Sequence, residues 1–383
     1  MANVREIVET FLSLGGSDIH MANGKNVCYR VNGSIKKDED KGLLTKEEMK
    51  KIFGELMEMD AGEDSKKARF IEESLRKNGH AGFSVSVSGT RFRVQASHYD
   101  GGYYIVMRVL KEKPPSLSEL GFPEKTVNGL KTVIRRKAGI FLVVGATGSG
   151  KSTTLAAIID QINASFPKNI ITLEDPIEYV FEPKRGNVIQ KELGRDFDSF
   201  YEALRSALRE DPDVLLVGEI RDRETLELAM ELAETGHLVF GTLHTNTVVS
   251  TIQRIVSMSG NETLARNRLS QTLLGVIAQS LYVRKDGNMS VISELLITDK
   301  AVLANIREGE DVQINASLDN YKHCNSYNAA IRELYKNNII DMDTALRLSP
   351  DPKYLNLEES RIGGPKEEET PQREKTNKKL IIE

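Results

Sequence analysis

Along the chain, apolar positions first fall at helical spacing. VREIVETFLSLGG repeats them every three or four residues and stops at Gly15-Gly16, which predicts a helix closed by a glycine cap. The period then changes. FSVSVSGTRFRVQAS, residues 83–97, alternates apolar and polar on either side of Ser88-Gly89, the pattern of a β-hairpin, and YYIVMRVL at 103–110 reads as a further strand. A charge-rich stretch at 45–78 has helical character, so residues 1–110 are expected to form a small α/β domain. KEKPPSLSEL carries Pro114-Pro115 and reads as an extended linker, placed at 111–118. Beyond it, short apolar runs at 140–144, 170–173, 214–217 and 238–243 alternate with helical patterns, as in a parallel sheet covered on both faces. A helical region is expected from about 262 to 348, interrupted by one strand, SVISELLI at 290–297, which closes a second domain over 119–348. From 349 to 383 the chain turns charge-dense and Pro-marked, the composition of a tail disordered at least in part. No internal repeat is visible.

Composition narrows the class. Hydrophobic residues at 39% and charged residues at 28% describe an ordinary globular protein, and 383 residues suffice for two or three cores. A net charge of −4 argues against a nucleic-acid protein with a basic footprint. Two cysteines, Cys28 and Cys324, form no CxxC pair, so neither a zinc site nor a disulfide framework is indicated. The longest strongly apolar stretch, GIFLVVGA at 139–146, falls far below the ~20 residues of a membrane span. The first residues lack the apolar run and cleavage site of a signal peptide. The expectation is a cytosolic protein, at most peripheral to a membrane.

One stretch carries unmistakable chemistry. GATGSGKST, residues 145–153, matches GxxxxGK[ST], follows the apolar run IFLVV and opens the helical TLAAIIDQI. Gly145, Ala146, Thr147, Gly148, Ser149 and Gly150 supply backbone N–H groups that curl around phosphates at a helix N-terminus. Lys151 reaches the β- and γ-phosphates, the Ser152 hydroxyl suits magnesium, and Thr153 completes the motif. ATP or GTP is the expected ligand. No Asn-Lys-x-Asp tetrapeptide follows, which favours ATP.

The acids are less conventional. DVLLVGEIRD, 213–222, runs four apolar residues up to Glu219, yet the residue before it is Gly218, where many ATPases carry an aspartate. A carboxylate at the C-terminal end of a core strand faces the ligand of such a sheet and suits the positioning or deprotonation of water. ITLEDPIEY, 171–179, ends a second strand in Glu174, Asp175 and Glu178, which would supply the additional acids; Asp175 reads equally as a loop or cap residue. HLVFGTLHTN, 237–246, brings His244 and Thr245 to the same rim, where an imidazole senses γ-phosphate charge. His237, after Gly236, reads equally as packing at a helix end.

Four boxes in this order, GATGSGKST, ITLEDPIEY, LREDPDVLLVGEIRD and ETGHLVFGTLHTN, resemble the Walker A, Asp box, Gly-Glu Walker B and His box of the secretion-type hexameric ATPases, and most of all the type IV pilus retraction ATPases of the PilT and PilU kind. The likeness spans roughly residues 3–348, with GGSDIH at 15–20 and TRFRV at 90–94. It implies a PAS-like N-terminal α/β domain and a RecA-like P-loop ATPase domain with C-terminal helices. It implies a ring of six subunits that share their nucleotide sites. By this resemblance Glu219 is the catalytic glutamate, Glu178 acts beside metal and water, and His244 responds to the γ-phosphate. Arg93 and Arg108 reach the nucleotide on domain closure; by pattern alone they read as strand-surface ion pairs. The implied cofactors are ATP and Mg2+; by the P-loop and the strand-end acids, the metal is expected on Ser152 with Glu174 and Asp175. The implied partners are further copies of the chain, a pilus inner-membrane platform protein and a paralogous pilus ATPase, with no nucleic acid, at the cytoplasmic face of the inner membrane. The chain departs from the retraction ATPases at AVLANIREGE, 301–310, at HCNSYN, 323–328, and in its longer tail. Those departures leave open a main motor or an accessory, ATP-binding subunit. A nucleic-acid translocase on the same core is disfavoured by the acidic balance.

Overall fold

The computed structural model describes residues 3–355, apart from residues 32, 62–64, 111–112 and 322. The expected tail therefore lies outside the described residues from 356 on, as do the first two residues of the expected linker. The N-terminal unit opens with α1 (Val4–Leu14), N-capped by Asn3 and closed by Gly15 in the left-handed region. Strands β1 (Asp18–Ala22), β2 (Cys28–Val31) and β3 (Ser34–Lys37) follow, then α2 (Lys46–Ala61) and α3 (Ser65–Asn78). Three longer strands complete it: β4 (His80–Val87), β5 (Thr90–Tyr99) and β6 (Gly102–Val109). Ser88 and Gly89 both take positive φ, the two-residue turn that the hairpin pattern demands. The six strands form an antiparallel sheet in the order β3-β2-β1-β6-β5-β4. Phe92, Val94 and Ala96 of β5 point into a core shared with α1, α2 and α3, so Arg91, Arg93 and Gln95 must stand on the opposite face.

The second unit begins with α4 (Glu124–Val133) and then the central strand β7 (Gly139–Val144). It continues through α5 (Lys151–Ser165), β8 (Asn169–Glu174), β9 (Asn187–Glu192), α6 (Phe200–Ala207), β10 (Val214–Val217), α7 (Arg223–Glu234) and β11 (Leu238–Leu243). Then come α8 (Val248–Ser259), α9 (Glu262–Thr272), β12 (Leu273–Val283) and β13 (Met289–Ile297). Helices α10 (Lys300–Glu308), α11 (Asp311–Ser317), α12 (Tyr327–Lys336) and α13 (Met342–Leu348) close the chain. The sheet order is β13-β12-β7-β11-β10-β8-β9, parallel except for the β12–β13 pair. Its central strands β7, β10 and β11 are buried throughout because both faces are covered. Ile140, Leu142 and Val144 enter one core with α6 to α12, whereas Phe141 and Val143 enter another with α4 and α5. Each such side chain removed from water contributes roughly 1.5–3 kcal/mol.

One expectation is corrected here. Residues 273–283, assigned by pattern to a helical region, form β12, which lies parallel to β7 and joins the sheet that holds the site. Residues 275–279 are buried in succession, and such a run has no period to separate strand from helix. Strand β9 also lies where the apolar runs give no signal, because it is an edge strand of mixed burial. The extended stretch after β6 docks rather than hangs, with Leu117 buried in the core beside α4. The two units meet along a polar seam, where Lys113 pairs with Glu182 at 3.0 Å, Arg93 with Glu178 at 3.9 Å and Arg91 with Glu192 at 3.5 Å.

Candidate active site

The loop from Gly145 to Gly150 leaves β7 and turns into the first turn of α5. Gly145, Gly148 and Gly150 all have φ in the left-handed half, and a Cβ at Gly145 would strike the carbonyl of Gln279 and the Ser149 hydroxyl. Ala146, Thr147, Gly148 and Ser152 stand exposed around the loop, while Ser149 is buried and Thr153 hydrogen-bonds with the Tyr179 hydroxyl at 3.0 Å. The Lys151 ammonium donates to the carbonyls of Gly145 at 2.8 Å and Ala146 at 3.0 Å, so it spans the mouth of the loop. Burial lowers its pKa, partly offset by the charges of Glu219 and Glu178. From β12, Gln279 donates to the Ser149 carbonyl at 2.8 Å and braces the loop from beneath.

Glu219 leaves the C-terminal end of β10, with β11 between that strand and β7. Its Oε1 lies 3.1 Å from Nε2 of His244, which leaves the end of β11, and its Oε2 accepts from Arg221 at 2.6 Å. The Arg221 hydrogen bond, against burial and with help from the charges of His244 and Lys151, holds the Glu219 carboxyl below its ordinary range. Gly218 explains the absent aspartate. A Cβ there would sit 2.8 Å from the Leu173 carbonyl of β8, so no side chain fits between the strands. Thr242 of β11 donates to the Gly218 carbonyl and fixes this strand end.

The acids after β8 divide. Glu174 turns inward, its Oε1 accepting from Thr172 at 2.7 Å and Gln190 at 3.1 Å, and burial pushes its pKa up to about 7. Asp175 lies 3.8 Å from the same Arg221 that holds Glu219. Glu178 stands 3.9 Å from Arg93 of the N-terminal unit. The exposed oxygen of Ser152 on the first turn of α5, with Glu219 and Glu178 near Lys151, makes an all-oxygen environment that fits a hard cation such as Mg2+.

Arg108 is not brought to this cluster. It lies directly across the sheet from Arg93, but its Nε donates at 2.7 Å to Asp18, the next residue in the same row. Burial would raise the Asp18 pKa, but hydrogen bonds from Ser17 and Arg108 outweigh it and the carboxyl stays low. His237 packs at a helix end, its Nδ1 3.1 Å from the Leu232 carbonyl. HCNSYN is a fastening: the Cys324 thiol accepts from Ile297 N–H, Asn325 bridges to Leu295 and Ser326 caps α12. Arg221 and Gln279 are the site neighbours that motif reading passes over. Arg221 had a signal, a cation two residues past a strand-end acid; Gln279 had none, because its strand was read as helix.

A loop of this kind after the central strand, with catalytic-type groups at the ends of the next two strands, defines a RecA-like P-loop ATPase domain, here joined to a PAS-like N-terminal unit. A model of the type II/IV secretion system protein family matches residues 2–335, and the chain belongs to that family. The type IV pilus retraction ATPase PilT of Pseudomonas aeruginosa is 39% identical over 319 residues, 82% of this chain and 88% of that protein. The type IV pilus ATPase PilU of the same species is 31% identical over 358 residues, 92% of this chain and 90% of that protein. A crystal structure of the pilus retraction motor PilT with bound ADP superimposes with a TM-score of 0.83 at 41% identity, covering 92% of this chain and 98% of that one.

Proposed function

We propose that this chain is a motor ATPase that couples ATP hydrolysis to type IV pilus retraction, and so to twitching motility. It would act as a homohexamer against a platform protein on the cytoplasmic face of the inner membrane. The observation that carries the reading is the Glu219 carboxylate held between Arg221 and His244 beside Lys151. A carboxylate kept ionised in that position orients the attacking water, and His244, in contact with it, relays the state of the γ-phosphate. Lys151 exchanges its loop carbonyls for phosphate oxygens. Bound magnesium would supply charge neutralisation on the phosphates. Ser152 would hold it directly and Asp175, beside Arg221, would act on it through water, whereas Glu174 is turned inward onto Thr172 and Gln190. Glu178 and Arg93 meet across the seam, so closing the two units brings an arginine to the site, a contribution on the order of 10³–10⁵ in rate where arginine fingers operate. Arg108 would join only after leaving Asp18. Among the described residues no helix is long and apolar enough to cross a membrane, consistent with attachment through a partner.

Steady-state hydrolysis across a range of protein concentrations tests this, with wild type beside Glu219→Gln and Arg93→Ala. The expected result is a specific activity that rises with concentration and is lost in both variants. Full activity in Glu219→Gln would sink the assignment. A second reading, an accessory subunit that assists a paralogue, rests on the departures at 301–310 and 323–328 and on the longer tail. Assembled wild type that binds ATP without hydrolysing it would select that reading.

A further inference from the structure

We propose that Glu192 is a positioning residue that fixes the loop bearing Glu178, and that Arg91 of the N-terminal unit governs it. Glu192 ends β9 in register with Glu174 of β8 and is only 3% exposed. Its Oε2 accepts from the Ile177 N–H at 3.1 Å, so the carboxylate tethers the backbone immediately before Glu178. The same oxygen accepts from the Ser84 hydroxyl at 3.4 Å and faces the Arg91 guanidinium at 3.5 Å. Arg91 in turn donates to Ser84 at 3.1 Å. The tethered loop and the carboxylate belong to the ATPase unit; the cation and the hydroxyl belong to the other.

A buried carboxylate stripped of its cation is strongly disfavoured. The Glu192 side chain therefore has Arg91 beside it only while the N-terminal sheet stands against it. When that sheet moves off, Glu192 loses Ser84 and Arg91 together, and the Ile177 tether loosens with it. Arg91 and Arg93 stand two residues apart on one face of β5, so a single strand delivers one arginine to Glu192 and the other to Glu178. Phe70 of α3 against Gly194, just past Glu192, sets the same approach from the side. The two units thus do more than cover the site on closing: they set the geometry of one of its acids. This rests on the reading of Glu178 as a group acting beside metal and water.

Hydrogen exchange of the full-length assembled protein, followed by mass spectrometry over residues 175–180, tests the tether. Arg91→Ala is expected to speed exchange there about tenfold. Arg91→Lys is expected to restore protection. Glu192→Gln, close to isosteric, is expected to speed exchange in the same segment, and Arg91→Ala added to it is expected to change nothing more. Both single variants should lower kcat while leaving the KM for ATP unchanged. Unaltered exchange at 175–180 in Arg91→Ala overturns the inference, as does full additivity in the double variant. Glu178→Gln run alongside separates the two levels. Lost turnover in Glu178→Gln with normal turnover and exchange in the Arg91 and Glu192 variants rejects the tether alone. Normal turnover in Glu178→Gln rejects the role of Glu178, and the exchange data then decide the tether by themselves.

Discussion

In the proposed mechanism Glu219 carries two opposite demands: it must stay charged beside a polyphosphate, and it must touch water. Arg221 at 2.6 Å meets the first demand by lowering its pKa. A carboxylate so held is a weak base, which favours orienting water over taking its proton. Glu219→Gln is expected to lower kcat by about 10²–10⁴ with little change in KM, read by steady-state kinetics. Arg221→Ala removes the chief cause of the low pKa, so the acidic limb of the pH–kcat profile should move to higher pH. Glu174 behaves in the opposite sense. Its pKa rises from 4.5 to about 7 on folding, so the folded chain binds the extra proton; stability is full below about pH 4.5 and declines as pH climbs toward 7. The loss is on the order of 3 kcal/mol. Glu174→Gln keeps an acceptor for Thr172 and Gln190 and is expected to flatten that decline, measured by urea unfolding between pH 5 and 8.

At the scale of elements, Gly218 marks where two backbones approach too closely for a side chain, and Gly194 where the Phe70 ring does. Gly218→Ala would drive a methyl against the Leu173 carbonyl and is expected to cost about 1–3 kcal/mol in denaturant unfolding. The elements that the sequence makes legible are the local ones. The α1 cap, the Ser88-Gly89 turn and the P-loop each depend on residues within a few positions of one another. What escapes is set by distance along the chain. The strand character of 273–283 exists only because β7 and β13 lie on its two sides, and the Gln279 brace disappears with it. The partners of Arg108 and Glu192 are invisible for the same reason: Asp18 lies 90 residues from Arg108, and Ser84 lies 108 from Glu192. Of the site itself, Glu219, His244 and Lys151 gather where strand-end reasoning places them, whereas the inward turn of Glu174 depends on Gln190 of an edge strand that apolar runs do not reveal.

For the whole molecule, the two units have separate cores and meet mainly through charge. Deleting the Arg93 guanidinium is accordingly expected to leave the melting temperature within a degree or two while turnover falls, a contrast that calorimetry beside the hydrolysis assay checks. The pairs along the seam differ in exposure. Arg93 and Glu178 are 44% and 33% exposed and Lys113 and Glu182 are 70% and 61%, whereas Arg91 and Glu192 are 19% and 3%. Dissolved ions screen the first two pairs and scarcely touch the third. Salt therefore works on this joint as a lubricant. It eases the swing of one unit over the other without disturbing the pin that fixes where the swing ends.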